Sequence, residues 1–408
     1  MANFSLPAST DAAEDASRLL QRLGFVVLAL GAPCAEALSS RAIFLFFPIG
    51  TALLLVAAML NPVKGVGSRL SAALGSPIGL LSLALIAWAA LSLAWTPFPV
   101  EAIEHLLKLA GTALAVIVAL CSSRDHMRAT DLYLFPIGVA LAMLAILAMA
   151  LADNAGVGSY ADRMERSGVA LVIMLWPAMA GLAARGRNGL ARLLMILAAA
   201  FLFAMGGPVT AAALFVGVLV LSFAISDVKR TVTDLSILAA AIVVLSPLAP
   251  AVAPTMARWF YHAKLSSLSG PMAPLAGAAE ILLHEPFRLF TGHGLDTAVR
   301  GVEAGLLPAP IPRDALFEIW YELGIIGALL GAALVWLGFR SVGATGSKVA
   351  PYLVAALACD LTLAFLLEDF SQMSWVTLLA VSAISAGAAV RSQYRTKRPL
   401  AGGPQPSL

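Results

Sequence analysis

The sequence predicts an all-α, polytopic membrane bundle of about twelve transmembrane helices, with one large outer loop between the ninth and tenth. Three observations carry that reading. Apolar residues make up 60% of the 408 positions and charged residues only 12%, a balance that excludes a soluble globular domain. Apolar runs of about 18–22 residues recur along the whole length, each long enough to cross a hydrocarbon core of about 30 Å. The few charges are also sorted by side.

Residues 1–22 are polar with mixed charge and read as a cytoplasmic tail. No small-residue cleavage site follows a short apolar stretch, so the first span is expected to be retained. Spans are expected at 23–37, 42–60, 74–95, 103–121, 132–151, 168–184, 193–206, 209–225 and 237–253, which makes nine in 23–253. Three more follow at 315–339, 352–367 and 375–390, and residues 391–408 form a second tail. Between them lies the loop, 254–314. Its 275–284 stretch has helix-forming composition and suits the membrane interface. Pro271, Pro274, Pro286, Pro308, Pro310 and Pro312 cut the loop into short rigid pieces. A loop of this length is expected to serve as a functional cap.

Arg18, Arg22, Lys64, Arg69, Arg124, Arg128, Arg185, Arg187, Arg192, Lys229, Arg230, Arg340, Lys348 and the tail's Arg391, Arg395, Lys397 and Arg398 fall on one side of this arrangement. The short loops of the other side hold only Arg41, Arg163 and Arg166. The bias puts both termini in the cytoplasm. It also makes the net charge of +3 a topology signal that calls for no nucleic acid. Cys34, Cys121 and Cys359 lie in or beside apolar helices with no metal-type spacing, and read as buried thiols. His105, His126, His262 and His284 form no ligand pair, so neither a metal nor a cofactor is expected.

The stretch from Gly292 to Gly327 sets charges where a loop becomes a membrane helix, a depth at which a charge needs a partner or a task. Asp314, Glu318 and Glu322 are spaced i, i+4, i+8, which puts three carboxylates on one helix face over roughly 12 Å. Such a stripe faces the bundle or a wet cavity. One of the acids could act as general base on an acceptor hydroxyl; alternatively they pair with Arg313, Arg288 or Lys108 to hold the helix. His293 sits between two glycines, where a backbone can approach a ligand closely, and is a second proton-transfer candidate. Arg163 and Arg166 run against the positive-inside trend and suit a diphosphate, with Arg288, Arg300 and Arg313 closing the clamp. Asp162 and Glu165 lie alongside and could instead neutralise the pair. Lys108 and Asp360 lie deeper and are expected to bridge two helices as a structural charge pair.

Several fragments resemble the O-antigen ligase and O-antigen polymerase family of envelope glycan enzymes. They are Trp95-Thr96-Pro97, Arg166-Ser167-Gly168, Leu175-Trp176-Pro177-Ala178, His284-Glu285-Pro286, Thr291-Gly292-His293-Gly294 and Trp320-Tyr321-Glu322-Leu323-Gly324-Ile325-Ile326-Gly327. The layout of spans and loop agrees. The resemblance implies a multi-pass protein of the bacterial inner membrane acting at its periplasmic face. It implies metal-independent transfer of a glycan from an undecaprenyl-diphosphate-linked donor to another glycan, to lipid A core or to a protein. Arginines would hold the diphosphate and, in ligases, a histidine at the end of the loop takes part. Two positions depart from the family. Its ligases open the tenth helix with a His-Asn pair where this chain reads Arg313-Asp314, and an Arg common near the start of the loop's helix is replaced by Gly270-Pro271-Met272-Ala273-Pro274-Leu275. A non-catalytic relative in the same pathway is therefore an alternative. A secondary transporter is another, although the large loop would then be expected on the inner side, between two halves.

Overall fold

In the structure, a computed structural model, residues 12–39, 41–61, 65–122, 131–152, 157–248, 281, 285–307, 314–367 and 373–392 are described. Every regular element among them is helical. The first span is α1 (Ala12–Val26), a π turn (Val27–Gly31) and α2 (Ala32–Leu38). Pro33 has no amide for the carbonyl of Ala29, and just before it the helix widens so that the Ala32 amide reaches Val27. Next come α3 (Ile43–Leu60), α4 (Val66–Leu74), α5 (Pro77–Ser92), α6 (Pro99–Ser122), α7 (Leu134–Ala152) and α8 (Val157–Ala184). These are followed by α9 (Asn188–Met205), α10 (Pro208–Ser226) and α11 (Val228–Leu245). Two short helices, α12 (Pro286–Thr291) and α13 (Thr297–Glu303), precede α14 (Ala315–Ala344), α15 (Ala350–Leu366) and α16 (Met373–Ser392).

Among the described residues, ten helical segments, α1 to α2 counted as one, are long and apolar enough to cross a membrane, or eleven with α4 and α5 counted as one bent span. The protein is a multi-pass membrane protein. The expected third span, 74–95, is filled by α5, and the preceding α4 meets it at 66°. Gly75 and Ser76 end the first piece, the Ser76 hydroxyl accepts from the Gly79 amide at 3.1 Å, and Pro77 opens the second piece, where its missing N–H costs nothing. The fifteenth helix, with 17 residues, is shorter than the ten.

At the centre stands α8. Its apolar segment Glu165–Ala184 is 94% buried, whereas the other nine spans are 17–61% buried. It packs against α7, α9, α10, α15, α16 and α2. Trp176 is fully buried and lies against Gly217 of α10, where an added Cβ would overlap the indole. A small residue there lets the two helices approach closely. The outward faces carry exposed Phe203, Met59, Val100 and Leu151, as lipid contact requires.

A second, smaller cluster of Ala298, Leu307, Phe317, Trp320, Tyr321 and Ala328 joins α13 to the N-terminal third of α14. Trp320 donates to the Val243 carbonyl at 2.7 Å and so pins α14 to α11. Of the expected cap, residues 254–280, 282–284 and 308–313 lie outside the described residues, and with them Arg313, His262 and His284.

Gly217→Ala is expected to overpack the Trp176 contact and to cost about 1–3 kcal/mol. Thermal unfolding in detergent checks this; an unchanged midpoint would contradict the close packing of α8 on α10.

Candidate functional site at the break in α14

The thirty-residue α14 is broken at Gly324, whose φ of 63° and ψ of −161° lie outside helical space. A side chain could not take that conformation, and a Cβ would also come 2.5 Å from the Phe290 carbonyl. A helix end leaves its last carbonyls without amides. Here three of them find donors elsewhere. The Tyr321 carbonyl accepts from the His293 amide at 2.8 Å, and the Glu322 carbonyl from the Gly294 amide at 3.0 Å. The Leu323 carbonyl accepts from the Trp88 indole at 2.8 Å. The loop can reach these groups because Gly292, at φ 73°, has no side chain: a Cβ there would overlap the Glu322 carbonyl.

The same loop is tied to the end of α5. Thr96 Oγ1 donates to the Leu295 carbonyl at 2.8 Å, and the Leu295 amide donates to Ser92 Oγ at 3.1 Å. Gly294 lies against the Thr96 backbone. Three fragments that are far apart in the chain thus form one joint: Trp95-Thr96-Pro97, Gly292-His293-Gly294 and Glu322-Leu323-Gly324.

His293 is stacked flat on Tyr321, with ring centroids 4.0 Å apart and planes at 9°, and Tyr321 is stacked in turn on Phe317. The imidazole Nδ1 lies 3.1 Å from the Tyr321 carbonyl. A carbonyl can only accept, so Nδ1 carries the proton and Nε2 presents a lone pair. Burial lowers the imidazole pKa below its ordinary 6.5, outweighing the Tyr321 carbonyl and the Glu285 carboxylate, which raise it; Arg288 lowers it further. Glu285 Oε2 is 3.5 Å from Nε2. Arg288, in the last turn of α12, makes no ion pair among the described residues.

The three carboxylates of the expected stripe take different roles. Asp314 is the N-cap of α14, its Oδ1 accepting from the Phe317 amide at 2.8 Å. Burial raises its pKa despite that bond and a second one from the Leu316 amide. Glu322 is buried and accepts from the Ala298 amide at 3.0 Å, at the start of α13. Glu318 is half-buried between them. Neither Asp314 nor Glu322 needs an arginine partner, because backbone amides already hold both.

Two groups that the sequence reading left alone belong here. Asp296, at φ 69°, holds His105 Nδ1 at 3.2 Å and Arg300 Nε at 2.6 Å, linking α6, the loop and α13. Burial pushes the Asp296 carboxyl up, but the bonds from His105 and Arg300 more than offset it and hold it below its ordinary value. Arg300 is correspondingly raised by Asp296. His105 looked solitary because its partner is 191 residues away. The only hint was Glu101, Glu104, His105 and Lys108 opening an otherwise apolar helix.

Other expectations are corrected. Arg163 and Arg166 are in a helix, not a loop, because 157–167 continues α8 outward with no breaker; the Arg163 side chain lies outside the described residues. Arg166 is exposed, and the charge it exerts falls on the buried Glu36 of α2. Neither oxygen of Glu36 has a hydrogen-bond partner among the described residues. Among the described residues, Arg288 and Arg300 are the guanidinium groups that lie at the joint. The Lys108–Asp360 pair is not formed. Lys108 pairs with Glu104 one turn back, at 2.5 Å, and Asp360 Oδ1 is buried with no hydrogen-bond partner among the described residues. Among the described residues no group of three His, Cys, Asp or Glu side chains is placed to hold a metal ion.

Comparison of the chain with protein-family models, with curated proteins and with solved structures finds no match.

Trp88→Phe leaves the Leu323 carbonyl without its donor and is expected to cost about 1–3 kcal/mol, read as a lower unfolding midpoint. An unchanged midpoint would remove the bond from the account. The His293 imidazole, with a folded pKa below 6.5, binds a proton more readily when unfolded. Its contribution to stability is full above that pH and is lost as the pH falls below it. Imidazole ¹⁵N NMR should show the Nδ1-protonated neutral ring at pH 6.5; a ring already charged there would contradict the assignment.

Proposed function

We propose that the protein transfers a glycan from an undecaprenyl-diphosphate-linked donor to a hydroxyl acceptor, at the periplasmic face of the inner membrane, as O-antigen ligases and polymerases do. The observation that supports this reading best is the convergence of the resembling fragments. Gly294 of Thr291-Gly292-His293-Gly294 donates to the Glu322 carbonyl beside the Gly324 break and lies against Thr96 of Trp95-Thr96-Pro97, which bonds the adjacent Leu295 carbonyl, all around a half-buried imidazole.

In the proposed reaction an acceptor hydroxyl attacks the anomeric carbon of the donor sugar. The bond from that carbon to the diphosphate oxygen breaks, and the diphosphate leaves with the electron pair. The hydroxyl proton goes to His293 Nε2, the nitrogen left with a lone pair by the bond at Nδ1. Arg288, close enough for its charge to act on His293, stabilises the leaving diphosphate. Arg300 is committed to Asp296, so its part is indirect. Arg166, Arg163 and Arg313 are proposed as further cations for the phosphorylated carrier. The departure at Arg313-Asp314 fits this scheme, since His293 supplies an imidazole from the neighbouring loop.

Replacing His293 by Ala is expected to lower transfer by about 10²–10⁴, and Arg288→Ala to abolish surface glycan while capped lipid carrier accumulates. Asp314→Asn keeps the cap and should retain transfer. The check is the profile of lipid-linked and surface glycans in a deletion strain expressing each variant at equal level. Wild-type glycan with His293→Ala, or lost glycan with Asp314→Asn, would move the base from the imidazole to the carboxylate; an unchanged profile in the deletion strain itself would end the proposal.

A further inference from the structure

The exposed face of the six-residue α12 poses a separate question. Phe287 is 88% exposed and Phe290 58% exposed. Three residues apart, they share one face of the helix. Leu289, on the other side, packs into the small cluster against α14. Two neighbouring open phenylalanines are costly in water, because their apolar surface stays hydrated.

The level at which they sit can be read from the neighbouring helices. From Ile325 to Ala344 the second piece of α14 has the length of about 30 Å that a hydrocarbon core requires. The 17-residue α15, packed beside it, spans about 26 Å. On α14 the exposed large apolar side chains, Ile326, Leu329 and Trp336, all follow Gly324, and none precedes it. The break at Gly324 therefore marks the height at which α14 leaves the lipid. The Phe290 carbonyl and the Gly292 amide touch Gly324, so α12 lies at that same height. Trp88, bonded to Leu323, and Trp95, 5.9 Å from it, lie there too, as interfacial tryptophans do.

We infer that α12 is an interfacial helix whose Phe287 and Phe290 are seated in the outer leaflet of the bilayer, with Arg288 at the level of the lipid phosphates. The partner is the lipid surface itself. A guanidinium flanking two apolar rings matches the order of phosphate above chain in that surface. The consequence is that the whole joint, with His293 on it, is held at headgroup height. The first third of α14, carrying Asp314, Glu318 and Glu322, stands above the hydrocarbon. This inference holds whether or not the protein transfers glycan.

The test uses the full chain in nanodiscs of phosphatidylethanolamine and phosphatidylglycerol, with Cys34, Cys121 and Cys359 replaced by Ala. Nitroxide labels are placed through Phe287→Cys, Phe290→Cys and, as a water-side control, Glu303→Cys, which is exposed on α13. Collision with oxygen should exceed collision with a water-soluble nickel chelate by several-fold at the first two positions, and the order should reverse at the third. Stronger nickel collision at Phe287 and Phe290 would place the face in water and overturn the inference. Weak collision with both reagents would mean that protein, either this chain or a second copy, covers the face, and would overturn it equally. Because both side chains are exposed, the substitutions leave the packing of α12 on α14 in place, which a monodisperse elution profile confirms.

Discussion

A membrane helix cannot be broken without giving its freed carbonyls new donors, and at Gly324 this requirement organises everything around it. Tyr321, Glu322, Leu323 and Gly324 are buried by the protein, so each orphaned carbonyl carries a cost of about 1–3 kcal/mol unless the protein supplies a partner. The protein supplies three: the His293 and Gly294 amides and the Trp88 indole. Meeting that need draws a loop residue pair and a side chain of α5 to one point on α14. The positions of His293, Arg288 and the ring stack follow from it. The absence of side chains at Gly292 and Gly324 is what allows the two backbones to touch.

Charge is handled in the same local way. Asp314 and Glu322 each accept from backbone amides at helix starts, where the exposed N–H groups favour an anion. Asp296 gathers His105 and Arg300. Of the stripe, Asp314 caps α14 and Glu322 fastens it to α13, while Asp296 fastens α13 to α6. The imidazole of His293 and the guanidinium of Arg288, which makes no ion pair among the described residues, are the pair to which the proposed reaction turns. The chemistry proposed for the site moves accordingly from the helix face to the loop.

Most of the helical layout was legible in the sequence, because apolar length and a scarcity of charge are read directly along the chain. The short α4 ahead of the third span is not legible, since composition does not report the direction the chain takes before the bend at Ser76-Pro77. The extension of α8 out to Val157 was missed because polar helix and polar loop look alike. The site was legible in part. Gly292-His293-Gly294 and Glu322-Leu323-Gly324 stood out as fragments, but the hydrogen bonds between them join main-chain atoms, which no side-chain pattern encodes. The Lys108–Asp360 pair failed for a plainer reason: Lys108 finds Glu104 one turn away, and a local partner wins over a distant one. The His105–Asp296 contact illustrates the converse, because two polar residues 191 positions apart give no sign of meeting until the chain is folded.

The account rests on the docking of the loop into the broken helix, and amide hydrogen exchange of the full chain in nanodiscs reads that docking directly. The His293 and Gly294 amides should exchange as slowly as those of the packed helices, and Gly324→Ala should bring both to the rate of an open loop while leaving α8 unchanged. Fast exchange of both amides in the unaltered protein, or protection that survives Gly324→Ala, would contradict it.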